Sequence, residues 1–252
     1  MARSETPGIV LVTGAARRLG RAIALDLAAH GWTVGAHYLS ASSEAIDVVN
    51  EIERRGGRAA ALCTDLADPT ACADLIEACA EALGPPTCLI NNAARFERDT
   101  LETLSTRSWQ VHLDVNLRAP VLLTQAFAKA LPEGAGGNVV NLIDQKVLRP
   151  NPDYFSYTVA KAALWTATQM MAQALAPRIR VNAVAPGPVL KSIGQKEADF
   201  EQEYRSTPLK RRVAPQEVAA AVRFLLETPS ITGQIIALDS GQHLAWQRED
   251  EG

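Results

Sequence analysis

No apolar run in the chain is longer than a β-strand needs, so nothing in it reads as a transmembrane helix, which takes about 20 consecutive apolar residues. Residues Met1 to Gly8 hold one Arg and no apolar stretch before Ile9, which is not the pattern of a secretory leader. None of the four cysteines, Cys63, Cys72, Cys79 and Cys88, belongs to a CxxC pair, and no His cluster accompanies them. Zinc binding, any other metal site and thiol redox chemistry are therefore not expected. The cysteines read as small buried apolar residues whose thiols stay reduced, as in a cytoplasmic protein. Charge of either sign is not in excess: 25 Lys and Arg stand against 28 Asp and Glu, a net −3. That balance gives no electrostatic reason to expect nucleic acid or an acidic membrane surface, and Lys210-Arg211-Arg212 is too short to alter it. Repeats, low-complexity stretches and interdomain linkers are absent as well.

What remains is a chain of 252 residues, 47% hydrophobic, enough for one large core. Short β-branched or apolar runs near residues 9–13, 32–38, 58–63, 87–91, 137–143, 179–184 and 234–238 read as strands. Helical periodicity fills the gaps, at 19–30, 43–55, 69–83, 106–131, 154–176 and 215–227. Strands joined through helices imply right-handed crossovers and a parallel sheet covered on both faces. The expected fold is an α/β Rossmann fold: one domain, doubly wound, with a seven-stranded parallel sheet. Residues 9–185 would form its core, 186–212 a long loop segment, and 213–252 the C-terminal helix, last strand and tail. Residues 188–208 are polar and weakly patterned; they read as a mobile loop, or as a surface helix over Glu197 to Arg205 that covers the edge of the site.

Two local patterns point to chemistry. Ile9-Val10-Leu11-Val12 runs into Thr13-Gly14-Ala15-Ala16-Arg17-Arg18-Leu19-Gly20, a buried strand followed by a glycine turn and a helix start. Such a turn lets backbone approach a pyrophosphate, which the free N–H groups of the helix start then hold. Arg17 and Arg18 are unfavourable at that end of a helix unless an anion compensates, which argues for an anion there. The stretch after the second strand, Thr33 to Ser40, contains no acid of the kind that selects a ribose 2′-hydroxyl, while His37, Tyr38 and Ser40 can hydrogen bond. Together these favour the 2′-phosphorylated cofactor, NADPH. In the second pattern, Tyr157 and Lys161 lie four apart and share a helix face, with Asp144 upstream. An ammonium beside a phenol is expected to lower its pKa from about 10 and make Tyr157 a proton donor near neutrality.

With these motifs in order, the chain resembles the short-chain dehydrogenase/reductase family over nearly its whole length. Thr13 to Gly20 matches the family's TGxxx[AG]xG turn, with Arg18 in place of the small residue. Asn91-Asn92-Ala93-Ala94 matches its NNAG segment, with Ala94 for Gly. The resemblance implies that Asp65, followed by Leu66, contacts adenine, and that Asn116 is a structural and proton-relay residue. It further implies that residues 9–185 are a dinucleotide-binding core with the catalytic helix, that Tyr157 and Lys161 are the catalytic pair, and that Asn182 to Gly187 leads into a substrate-binding loop over 186–212. Gly14, Arg17, Arg18, Leu19, Gly20, His37, Tyr38, Ser40, Asp65, Leu66, Asn92, Ala93, Ala94, Tyr157, Lys161, Pro186 and Gly187 would then line the cofactor. A homotetramer is implied too, built on the helices at 106–131 and 154–176.

The chief departure is Asp144, which stands where most members carry a Ser that donates to a substrate carbonyl. An ionised Asp cannot donate. Asp at this position, the Arg-containing turn, His37-Tyr38, Phe96 after the NNAA segment, and the ending Leu238-Asp239-Ser240-Gly241-Gln242-His243-Leu244 are similar to the pteridine reductase and dihydromonapterin reductase branch. A dihydropterin presents a C=N bond whose nitrogen takes a proton without strong polarisation, and its flat ring can stack on an aromatic such as Phe96. Arg18, Phe96, Asp144 and Tyr157 are the expected substrate contacts, with Asp144, Tyr157, Lys161 and Asn116 as the catalytic set. Two other readings fit the same residues: a carbonyl reductase acting on a 3-oxoacyl thioester, a sugar or another ketone, and a non-catalytic dinucleotide-binding protein. The intact Asn116, Tyr157 and Lys161 weigh against the last.

Overall fold

The structure, a computed structural model, describes residues 7–192 and 194–245; the first six residues, Ile193 and the tail beyond Ala245 lie outside it. Among the described residues one parallel sheet runs in the order β3-β2-β1-β4-β5-β6-β7. Its strands are β1 (Ile9–Val12), β2 (Thr33–Tyr38), β3 (Ala59–Cys63), β4 (Cys88–Asn91), β5 (Gly137–Leu142), β6 (Ile179–Pro186) and β7 (Ile235–Leu238). The helices are α1 (Arg18–Ala29), α2 (Ser42–Arg54), α3 (Ala71–Leu83), α4 (Thr106–Leu113), α5 (Ala119–Ala130), α6 (Phe155–Leu175), α7 (Glu197–Arg205) and α8 (Pro215–Glu227). None is long and apolar enough to cross a membrane.

Side-chain alternation along the strands divides the core in two. Val10 and Val12 of β1 pack with Ile23 and Leu27 of α1, Val48 and Ile52 of α2, and Val218 and Val222 of α8. Leu11, between them, faces the other way, onto Leu75 and Ile76 of α3 and Leu123 and Phe127 of α5. Both faces of the sheet are thus sealed, and the strands are apolar along their length rather than half polar. Strand order reverses between β1 and β4, which pair as Val12 with Ile90, so a crevice opens at their carboxyl ends. Residues Thr13-Gly14, Asn91-Asn92, Asp144 and Gly187 follow β1, β4, β5 and β6 there.

Three expectations need correction. The helix expected over 106–131 is three pieces: α4, a π-helical turn over Asp114–Arg118, and α5. Apolar periodicity does not register a π turn, because one extra residue only rotates the pattern; such turns recur at functional sites. The segment 188–208 contains α7, anchored by the buried Phe200, so Glu197 to Arg205 is helical and not a structureless loop. Of the four cysteines, Cys72, Cys79 and Cys88 are buried, but Cys63 is exposed at the end of the edge strand β3.

Candidate active site

The glycine turn and the segment after β4 are tied into one unit. Thr13 Oγ1 accepts from the N–H groups of Asn92 and Ala93, both at 2.9 Å, and Asn92 Nδ2 donates to the carbonyls of Thr13 (2.8 Å) and Gly14 (3.2 Å). Gly14 has φ +65, and a Cβ on Gly20 would lie 2.1 Å from the Gly14 carbonyl oxygen, so neither position accepts a side chain without moving the backbone. No side chain caps the start of α1, leaving its first N–H groups free for an anion. This cradle fits a dinucleotide pyrophosphate. Arg18, where the family pattern has a small residue, occupies the same left-handed region at φ +54. That conformation costs a residue bearing Cβ roughly 1–2 kcal/mol.

Its neighbours are placed differently from the sequence expectation. His37 does not offer its ring to a ligand: it is buried, Nδ1 accepts from Gly14 N at 3.1 Å, and Nε2 donates to Thr64 O at 3.0 Å. Burial lowers its pKa, so the neutral ring braces the turn from behind. Arg17 forms an ion pair with Glu44 in the first turn of α2, so the anion that a cation at this helix start calls for is present within the chain. Arg18 reaches across the crevice and donates to the carbonyls of Leu190 (3.1 Å) and Lys191 (2.9 Å), joining the cofactor turn to the loop before α7. Tyr38 is half-buried and Ser40 exposed beyond β2; Asp65 is exposed, its Oδ1 accepting from Ala67 N at 2.9 Å, with Leu66 buried beneath. Leu19 and Ala93 are half-buried and Ala94 exposed along the same rim. At the far side, Gly187 follows Pro186, and a Cβ there would lie 2.7 Å from Asp239.

The candidate reacting groups converge beside this cradle. Tyr157 lies in the first turn of α6, and its hydroxyl donates to Asp144 Oδ2 at 3.0 Å; Asp144 Oδ1 accepts from Lys146 N at 2.9 Å. Both carboxylate oxygens therefore act as acceptors. Lys161, one helical turn on, is buried and donates from Nζ to the Leu142 carbonyl at 2.7 Å, with Nζ 5.9 Å from the Tyr157 ring centre. The expected lowering of the Tyr157 pKa is not what this arrangement produces. Burial, followed by the adjacent Asp144 charge and hydrogen bond, pushes it well above its ordinary value. Tyr157 is thus held as a protonated donor. Burial lowers the Lys161 ammonium to about 8, with Asp144 opposing. Asn116 sits in the π-helical turn and grips the backbone of Arg95 at both groups, accepting from its N–H and donating to its carbonyl at 2.9 Å each.

Phe96 completes the site, 38% exposed, with its ring edge-on to Tyr157 at 4.7 Å between centroids. One of its faces stacks on Tyr154 at 4.3 Å. The sequence reading placed Tyr154 in the helix at 154–176 and gave it no role in the site; it stands at the N-cap of α6 at φ +57, with its ring stacked on Phe96. Also missed were Asp99 and His112, both buried beneath this aromatic group. A cavity of about 220 Å³ lined by Gln145, Arg149, Pro150, Asn151 and Gln242 adjoins Asp144 through Gln145. A larger one of about 550 Å³, around Trp32 and Arg58, opens near the start of β2 and has no part in the site.

A nucleotide cradle at the strand-order reversal, beside a Tyr–Lys pair and a carboxylate, defines a dinucleotide-dependent oxidoreductase. The chain belongs to the short-chain dehydrogenase/reductase family. A family model described as enoyl-(acyl carrier protein) reductase matches residues 14–243. A short-chain type dehydrogenase/reductase of Picea abies is 34% identical over 248 residues, covering 93% of this chain and 92% of that protein. A 3-oxoacyl-[acyl-carrier-protein] reductase of Synechocystis sp. is 35% identical over 241 residues, covering 94% and 97%. Among solved structures, the FolM alternative dihydrofolate reductase 1 of Brucella canis, complexed with NADP, is 46% identical with a TM-score of 0.95 and full coverage of both chains.

Proposed function

We propose that this protein is an NADPH-dependent reductase of dihydropterin-type substrates, dihydrobiopterin, dihydromonapterin or dihydrofolate among them. The observation that carries the reading is the Tyr157–Asp144 hydrogen bond. A carbonyl reductase needs a neutral donor where this chain has an acceptor-only carboxylate, whereas a C=N nitrogen needs a proton and little polarisation. The 46% identity to a dihydrofolate reductase bound to NADP supports it, and the 3-oxoacyl reductase among the relatives keeps the ketone alternative specific enough to test.

NADPH supplies the hydride. Gly14, Gly20 and the open start of α1 would hold its phosphates, and the Arg17 guanidinium would meet a 2′-phosphate by exchanging Glu44 for it. Phe96 presents its exposed ring to the pterin. Tyr157 gives its proton to the ring nitrogen, and the Lys161 ammonium stabilises the phenolate left behind. A proton taken up from solvent then returns to the phenolate, passed on by Asp144 or by a water it holds.

Initial rates with NADPH against dihydrobiopterin, dihydrofolate, a 3-oxoacyl thioester and a diketone test the reading. Turnover confined to the dihydropterins is expected; turnover confined to the ketones would assign the alternative. Arg17→Ala is expected to weaken NADPH by about ten- to a hundred-fold and NADH hardly at all, the loss of one charge-assisted bond. Glu44→Gln, which frees the same guanidinium, is expected to tighten NADPH. Titration of both cofactors by fluorescence reads both results, and equal loss of NADPH and NADH in Arg17→Ala would remove Arg17 from the 2′-phosphate. Light scattering on the eluting protein is expected to give four chains, the exposed Val159 and Met170 of α6 lying at subunit contacts; a stable monomer at micromolar concentration would contradict this.

A further inference from the structure

Beneath the aromatic group, three side chains from three separate elements form one buried hydrogen-bonded chain. Asp99 comes from the loop after β4, His112 from α4 and Ser156 from α6, immediately before Tyr157; all three are at most 4% exposed. His112 Nε2 accepts from the Glu97 N–H at 3.2 Å, so its proton sits on Nδ1, which lies 2.6 Å from Ser156 Oγ and donates to it. The Ser156 hydroxyl then donates to Asp99 Oδ2, while Asp99 Oδ1 accepts from the Ser156 N–H at 3.1 Å and the Asp99 carbonyl from the Phe155 N–H at 3.2 Å. Every proton in the chain is therefore fixed in one direction, from Glu97 N–H through His112 and Ser156 to Asp99. Burial alone would raise the Asp99 carboxyl, but hydrogen bonds from Ser156 and Ser108, with His112 nearby, together hold it below its ordinary range; burial lowers His112 and keeps its ring neutral.

The first turn of α6 otherwise has no side-chain cap, and Tyr154 enters it at φ +57. Asp99 thus supplies the cap from 57 residues away and fixes the turn that carries Tyr154 and Tyr157. The His112 ring packs edge-on to Tyr157 at 6.1 Å between centroids, opposite an aromatic wall made by Phe96 and Tyr154.

We propose that Asp99, Ser156 and His112 are positioning residues: their one-way hydrogen-bond chain sets the Tyr157 phenol against the Phe96–Tyr154 pair and so governs proton transfer, without touching substrate or cofactor. The inference rests on Tyr157 as the proton donor and holds for any acceptor the enzyme reduces. Asp99→Asn keeps shape but puts an amide donor before the Ser156 hydroxyl. The hydroxyl must turn to His112, the histidine must move its proton to Nε2, and that proton then meets the Glu97 N–H. His112→Glu on the same background gives a carboxylate that accepts from both Ser156 and the Glu97 N–H, so that every donor in the chain again meets an acceptor.

The test compares wild type, Asp99→Asn, His112→Glu and the double variant in kcat, in NADPH affinity and in thermal melting. Asp99→Asn is expected to lower kcat by about ten- to a hundred-fold, the scale of an ångström-level misplacement, with NADPH affinity within about two-fold. The double variant is expected to exceed Asp99→Asn in kcat by at least about five-fold, and to melt above the value that the two single variants predict additively. Wild-type kcat in Asp99→Asn, or a double variant no better than the worse single one, overturns the proposal. Should the wild type reduce no dihydropterin, the proposed function fails on its own; the rate comparison then runs on the ketone that is reduced, and the melting cycle needs no substrate at all.

Discussion

Tyr157→Phe is expected to lower kcat by about a hundred- to ten-thousand-fold and to leave NADPH affinity nearly unchanged. In the proposed reaction the hydroxyl is the proton donor, and a positioned donor contributes on that scale. Its ring, by contrast, packs edge-on to Phe96 and His112, contacts that Phe retains. Lys161→Ala differs in kind, because Lys161 is buried and holds the Leu142 carbonyl at the end of β5; its loss is expected to cost cofactor affinity as well as rate. The pH profile separates the two groups. Tyr157 is pushed upward and stays protonated through the neutral range, whereas Lys161 is lowered to about 8. Turnover in the wild type is therefore expected to fall as pH rises through about 8, where the ammonium that stabilises the phenolate loses its proton. A Tyr157→Phe enzyme within a few-fold of wild type would remove Tyr157 from the chemistry.

Asp144→Ser is expected to reverse the substrate preference, cutting dihydropterin reduction by about ten-fold or more while raising activity on diketones, since Ser restores the neutral donor that a carbonyl oxygen needs. Asp144→Asn discriminates charge from position. The amide oxygen still accepts from the Tyr157 hydroxyl, now held at 3.0 Å by the carboxylate, but it carries no charge and shuttles no proton. The Asp144 charge opposes the burial that lowers Lys161, so Asp144→Asn is expected to lower the Lys161 pKa further and draw the alkaline limb of dihydropterin turnover, set by that ammonium, to lower pH. Rates on both substrates across pH 6 to 10 check this, and an equal fall on both substrates in Asp144→Ser would make Asp144 a residue that shapes the site without moving protons.

Much of the site was legible in the sequence because its chemistry is local. A glycine turn after an apolar strand needs only neighbouring residues to specify it, and Tyr157 and Lys161 share a face by helix geometry alone. What escaped depends on contacts between distant segments. Arg17 and Arg18 read as cations awaiting an anion, but Glu44 lies 27 residues on and the Leu190 carbonyl 172 residues on, beyond any spacing rule. The same holds for Asp99, His112 and Ser156, each unremarkable in its own segment. His37 was misread because polarity at a strand end suggests a ligand, whereas here the ring closes a gap between β1 and β3. The direction of the Tyr157 shift failed for a related reason: sequence placed the ammonium beside the phenol, while burial and the Asp144 hydrogen bond, both products of the fold, dominate.

The central claim is that this crevice reduces a C=N bond with a proton from Tyr157. Its most direct test is a single turnover on 7,8-dihydrobiopterin using NADPH deuterated at the transferable hydrogen, with the product read by mass spectrometry. A tetrahydropterin carrying one deuterium on a ring carbon, formed by the wild type and lost in Tyr157→Phe, is the predicted result. An unchanged dihydropterin, alongside a ketone that acquires the deuterium under the same conditions, would contradict it.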